Sequence, residues 1–230
     1  MRRIGILGGM SWQSTISYYR YINTEASARL GGNHTADILV WSGDFDPVAR
    51  CTERRDWGEL ARILVPAAQS LGAQGAEVMV LAANAAHAVA DAVEAYGGVQ
   101  VVNIIDVTAH RLKESGVETA ALLGTAAVME EPFYRDRMES NGVACVIPSD
   151  NARAEINRIV FEELVFGVVD DGSHRTLVDT IDVLADEGAE GAILACTELS
   201  MILDEDDAVI PGFDTTRIHA VAAVDAALAR

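Results

Sequence analysis

Lysine is nearly missing from this sequence. Lys113 is the only one among 17 basic residues, against 35 acidic residues and a formal net charge of −18. That balance argues against a nucleic-acid partner, because phosphates are neutralised by Lys and Arg. A solvated acidic surface, or life in high salt, accounts for the excess. Cysteine is also scarce. The three present, Cys51, Cys145 and Cys196, are widely spaced and odd in number, which suits a reducing compartment better than a disulfide framework. Cys196 has no CxxC partner and no histidine at ligand spacing, so no metal is expected. Half of the residues are hydrophobic, yet no apolar run is long enough to span a bilayer. Met1-Arg2-Arg3 lead directly into a strand-like run, without the apolar region and cleavage site of a signal peptide. The expectation is a cytoplasmic protein with no membrane partner. With no low-complexity tract or charged linker, no disordered region is expected, and 230 residues suffice for one large domain or two small ones.

What the sequence does contain is a repeat. Gly188 to Ser200 reads GAEGAILACTELS and Gly75 to His87 reads GAEVMVLAANAAH. Aligned from the first glycine, strand falls on strand and Cys196 falls opposite Ala83. Ile4-Gly5-Ile6-Leu7-Gly8 likewise matches Ala120-Ala121-Leu122-Leu123-Gly124. The spacing from that glycine to the polar tip is 75 residues (Gly8 to Ala83) in one half and 72 (Gly124 to Cys196) in the other. Two such halves facing each other predict a pseudo-twofold molecule, with the active site in the cleft between them. One wall of that cleft would carry a thiol and the other a methyl group.

Strands are expected at Arg3–Leu7, Asp37–Trp41, Glu77–Ala82, Gln100–Asn103, Thr119–Leu123, Ala144–Ile147, Gly191–Ala195 and Ala208–Ile210. A first helix is expected to bury Ile16, Tyr19, Ile22 and Ala26, and Ser42–Arg55, with Pro47 inside, reads as an irregular loop. Further helices are expected at Ala85–Tyr96, Ile105–Ser115, Glu130–Asn141, Asn151–Phe166, His174–Glu187 and Thr215–Ala229, with another marked by Leu60, Leu64 and Leu71. Strands alternating with helices predict parallel sheets covered on both faces. The loops after the strand C-termini then carry the chemistry.

At those tips, Gly8-Gly9-Met10-Ser11 reads either as an anion-binding turn before a helix or as a tight strand-to-helix turn alone. It lacks the dinucleotide and P-loop patterns. Cys196 stands between a strand and an expected helix start, which would lower its pKa. Thr197 can bond a substrate carboxylate, and Glu198 can take or orient the thiol's proton. Asn84 offers a donor and an acceptor at the other tip. His87 reads as a packed or capping residue with a direct role as the alternative, and His219 as orienting a closing loop. Cys51 and Cys145 read as buried apolar residues.

Ile4 to Trp12, Asn84-Ala85-Ala86-His87, Leu123-Gly124-Thr125, Phe133-Tyr134, Glu163-Leu164 with Gly167, Cys196-Thr197-Glu198-Leu199, and Asp214-Thr215-Thr216 with His219 together resemble the aspartate/glutamate racemase family. The resemblance spans nearly the whole chain. It implies two α/β domains, each a four-stranded parallel sheet flanked by helices. Residues 1–103 with 212–230 would form the first and 104–211 the second. It also implies a homodimer and cofactor-independent racemisation of an acidic amino acid by two cysteines facing opposite sides of Cα. Cys196 matches the second cysteine, Ala83 stands in place of the first, and Ala85 replaces the family's threonine. The implied site comprises Cys196, Glu198 and position 83 for chemistry, with Met10, Ser11, Trp12, Asn84, Ala85, Thr125 and Thr197 around the substrate. Arg50 is a candidate for a side-chain carboxylate. A single-cysteine enzyme resembling arylmalonate decarboxylase, and a non-catalytic amino-acid binder, are the alternatives.

Overall fold

The computed structural model describes residues 1–229. The chain enters its second compact unit at Ile105 and leaves it after Thr215.

The first unit begins with β1 (Ile4–Gly8), α1 (Trp12–Leu30) and β2 (Ile38–Ser42). Then come α2 (Phe45–Arg54), α3 (Trp57–Ala73), β3 (Val78–Leu81), a 3₁₀ turn (Ala85–Val89), α4 (Ala90–Gly97) and β4 (Gln100–Val101). The strands are parallel, in the order β2-β1-β3-β4. Leu7, Met79 and Leu81 pack with Leu60, Leu64 and Leu71 of α3 in one apolar core. Each such side chain, fully buried, contributes roughly 1.5–3 kcal/mol.

The second unit contains α5 (Ile104–Glu114) from Ile105 onward, β5 (Thr119–Gly124), α6 (Ala126–Glu130), α7 (Pro132–Ser140) and β6 (Ala144–Val146). It continues with α8 (Asp150–Arg158), α9 (Asp171–Asp186), β7 (Gly191–Ala195) and β8 (Gly212–Asp214). Its parallel order is β6-β5-β7-β8, the first unit's order repeated. Leu123, Leu194, Ile156, Ile159 and Leu177 anchor its core. The last helix, α10 (Thr215–Leu228), belongs to the first unit from Thr216 onward.

Each repeated GAE segment fastens the start of a strand. Gly75 and Gly188 adopt φ of 96° and 105°, the left-handed region that glycine enters at little cost. The next turn of chain places Glu77 and Glu190 beside the first strand of their own sheets. The Glu77 N–H donates to the Arg3 carbonyl at 2.9 Å, and the Glu190 N–H to the Thr119 carbonyl at 2.8 Å. Both carboxylates accept in return: Glu77 from the Arg3 N–H at 3.4 Å, and Glu190 from the N–H groups of Glu118 and Thr119 at 2.7 and 3.2 Å. Those two donors hold the Glu190 carboxyl below its ordinary range.

Several expectations are corrected. Ser42–Arg55 is not an irregular loop: it contains α2, capped by the Asp44 side chain, with Pro47 in the first turn, where a missing N–H costs no helical bond. On α1 the buried face is Thr15, Tyr18, Ile22 and Ala26, whereas Ile16 and Tyr19 are about half exposed. Ala208–Ile210 is not a strand. The Asp207 carboxylate accepts from the Asp204 N–H and curls the chain just before it, and bonding to β7 begins only at Pro211, whose carbonyl accepts from the Ala192 N–H at 2.9 Å. The expected helix Asn151–Phe166 changes at Ile159 to a π turn and at Leu164 to a 3₁₀ turn. The helix expected over Glu130–Asn141 is divided at Glu131, which is extended ahead of Pro132. Among the described residues no helix is long and apolar enough to cross a membrane.

Candidate active site

In the first unit the register puts two tips side by side. Leu7 pairs with Leu81, and the Ala82 N–H donates to the Leu7 carbonyl at 2.9 Å. The turn Gly8-Gly9-Met10-Ser11 after β1 therefore adjoins Ala83, Asn84 and Ala85 after β3. Ser11 caps α1, its hydroxyl accepting from the Ser14 N–H at 3.3 Å. Met10, Ser11 and Asn84 are buried, whereas Trp12 is 63% exposed on the first turn of α1. Arg50 is not part of this group. It stands exposed on α2, ion-paired with Asp46, and lines a surface cavity of about 210 Å³ with Cys51, Arg54 and Asp56.

His87 lies one turn beyond Ala83, and its Nδ1 is 3.0 Å from the Ala83 carbonyl. A carbonyl only accepts, so Nδ1 carries the proton and donates it. His219 packs edge-on against His87, with ring centroids 5.4 Å apart. Its Nε2–H donates to the Val102 carbonyl at 2.7 Å, and its Nδ1 accepts from the Tyr18 hydroxyl at 2.7 Å. Burial, with His87 adding to it, lowers the pKa of His219 to about 3. His219 is therefore a neutral tie between α10, α1 and the end of β4.

In the second unit Gly124 pairs with Ala195, which sets Thr125 beside Cys196. Gly124 has to be glycine: a Cβ there would sit 2.9 Å from the Ala195 carbonyl oxygen. The Cys196 thiol is buried and donates to the Glu198 carboxylate at 3.1 Å. Thr197 between them is partly exposed. The expected helix start is absent. Cys196 itself lies in a bend, followed by a turn at Thr197 and Glu198 and then a 3₁₀ turn of three residues, Leu199–Met201. The thiol is shifted the opposite way from the expectation. Burial pushes its pKa well above the ordinary range, and the Glu198 charge and hydrogen bond push the same way. The backbone N–H groups of Glu198 and Leu199 pull it part of the way back. The resting pair is a protonated thiol held on a carboxylate. Among the described residues no group of three or more His, Cys, Asp or Glu side chains could hold a metal ion.

The profile of the family described as "Asp/Glu/Hydantoin racemase" matches residues 7–223. The chain belongs to this family. A Yersinia pestis protein solved as a candidate Asp/Glu racemase is 43% identical to this racemase-family chain, covers all of both chains and superposes with a TM-score of 0.93. An aspartate racemase homologue from Pyrococcus horikoshii OT3 is 34% identical over 99% of each chain, with a TM-score of 0.86. RacX of Bacillus subtilis (strain 168), a broad-specificity amino-acid racemase, is 23% identical over 98% of both sequences.

The sequence reading missed Thr15 and Tyr18 in this family member. Thr15 Oγ1 accepts from the Gly9 N–H at 2.9 Å and donates to the Ser11 carbonyl at 3.0 Å. Both residues lie on the face of α1 that Ile16 and Tyr19 were expected to fill. A polar pair at Thr15 and Tyr18, in phase with Ile22, is the signal that could have found them.

Proposed function

We propose that this racemase-family protein transfers the Cα proton of aspartate, glutamate or a close analogue, without a cofactor, through the Cys196 thiol. The observation that carries this reading is the 3.1 Å hydrogen bond from Cys196 to Glu198. It gives a buried thiol a carboxylate to take its proton, so that the thiolate forms only when needed. The Met10-Ser11 turn, Asn84 and Thr197 hold the α-carboxylate, and Trp12, Ala85 and Thr125 line the substrate. Arg50, already paired with Asp46, is a poor anchor for a side-chain carboxylate.

Racemisation requires a group for each face of Cα. Ala83, at the position equivalent to Cys196, offers only a methyl group, so inversion is impaired or one-sided. The lone thiol also favours a second reading, a decarboxylase that protonates one face only. The protein acts in the cytoplasm, consistent with three free cysteines. It acts as a homodimer, for which the exposed Ile16 and Tyr19 on α1 offer an apolar contact.

Incubation with L- and D-aspartate and glutamate in D₂O tests the reading, with Cα deuteration followed by NMR and configuration by chiral chromatography. Exchange that outpaces inversion, and that Cys196→Ser abolishes, supports it. No exchange by the wild type, with carbon dioxide released from a malonate instead, establishes the decarboxylase. Neither activity leaves a binder and removes the proposal.

A further inference from the structure

The turn proposed to hold the substrate carboxylate has an internal brace. Thr15, nearly buried on the first full turn of α1, accepts from the Gly9 N–H at 2.9 Å and donates to the Ser11 carbonyl at 3.0 Å. One hydroxyl thus spans the turn from both sides. Its approach explains Gly8, because a Cβ there would lie 2.5 Å from Thr15 Oγ1. Gly9 has φ of 75°, and a Cβ on it would meet the Gly43 backbone at 2.6 Å. Neither glycine can carry a side chain while Thr15 and Gly43 stay where they are.

The second unit provides the comparison. Gly8, Gly9 and Met10 correspond to Gly124, Thr125 and Ala126. There the Ala126 N–H is already taken by the Asn157 side-chain oxygen at 3.0 Å. In the first unit the corresponding Met10 N–H has no acceptor among the described residues, while Thr15 holds the N–H of the preceding Gly9. Of the two equivalent turns, the one braced by Thr15 keeps a backbone donor for an anion.

We propose that Thr15 is a positioning residue for the substrate's carboxylate, fixing the Gly9–Ser11 turn so that the Met10 N–H stays available to it. Both bonds of the Thr15 hydroxyl are spent on the backbone of its own turn, so it serves as a support and not as an acid or base. Its loss therefore weakens binding rather than chemistry. This rests on the function proposed above.

The test uses wild type, Thr15→Val, Thr15→Ala and Thr15→Ser in the full chain. Affinity for L-aspartate and L-glutamate is read by calorimetry, and KM and kcat by Cα–deuterium exchange. Thr15→Val should raise Kd and KM about tenfold, close to the effect of one hydrogen bond to a charged group. It should leave kcat within about threefold, and Thr15→Ser should restore both constants. Thr15→Ala, which removes the same hydroxyl and adds no methyl toward Gly8, carries the test if the valine variant does not fold. Unchanged Kd and KM in a folded variant, a drop confined to kcat, or no rescue by serine each overturn the assignment while the function stands. A wild type that neither binds nor exchanges either amino acid removes the function and this inference together.

Discussion

Ala83 and Cys196 occupy equivalent positions. Leu7 pairs with Leu81 as Leu123 pairs with Leu194, and each tip residue stands two places beyond that pair. The two sheets share one strand order, so the equivalence extends from the strand starts to the tips. At one tip there is a thiol hydrogen-bonded to a carboxylate. At the other there is a methyl group, with the backbone carbonyl of the same residue bonded to His87.

Ala83→Cys should therefore raise racemisation by about 10²–10⁴-fold, the usual contribution of a placed acid or base. The assay is D-to-L conversion of aspartate and glutamate by chiral chromatography. A folded variant that exchanges Cα protons but inverts no faster than wild type would show that position 83 does not serve the second face.

Glu198→Gln should act on the thiol in a defined direction. The carboxylate raises the Cys196 pKa, so its neutral replacement should lower that pKa and move the pH profile of Cys196 alkylation to more acid values. Turnover should fall about 10²-fold or more, because the amide cannot accept the thiol's proton. Alkylation is read on the Cys196 peptide by mass spectrometry, which separates it from Cys51 and Cys145. A profile unmoved or shifted to alkaline pH contradicts the assignment.

His219 makes stability pH-dependent on the acid side. Its folded pKa, about 3, lies below the unfolded value near 6.5, so the unfolded chain binds the extra proton first. The stabilisation is complete above about pH 6.5 and is lost as pH falls toward 3, at up to about 1.4 kcal/mol per pH unit. Urea melts at pH 7, 6 and 5 should show this slope, and His219→Gln should flatten it relative to wild type. Equal slopes would place the acid sensitivity elsewhere.

The strand tips could be read in the sequence because buried parallel strands are short apolar runs ending in glycine or a polar residue. Gly191–Ala195 matches its expected bounds for that reason. Segments whose structure depends on side-chain hydrogen bonds were less legible. Asp44 and Pro47 suit a loop as well as the first turn of a helix, so α2 was hidden. Ile16 and Tyr19 looked like core because hydropathy alone cannot distinguish the outside of α1 from its inside. The face that is buried uses Thr15 and Tyr18, whose polar atoms are satisfied by Gly9, Ser11 and His219. The direction of the Cys196 shift was also unreadable, since it depends on burial and on where the Glu198 carboxylate turns.

Glu77 and Glu190 work at the opposite ends of their sheets from Ala83 and Cys196. Strand alignment is held at one end while reactivity is set at the other, six residues away along β3 (Glu77 to Ala83) and along β7 (Glu190 to Cys196). Tip residues can then be exchanged without disturbing the fastening that fixes the pairing. A duplicated half of this kind is free to be retooled on one side only. A scaffold with two matched halves can in this way come to carry a thiol on one and a methyl group on the other while keeping its architecture.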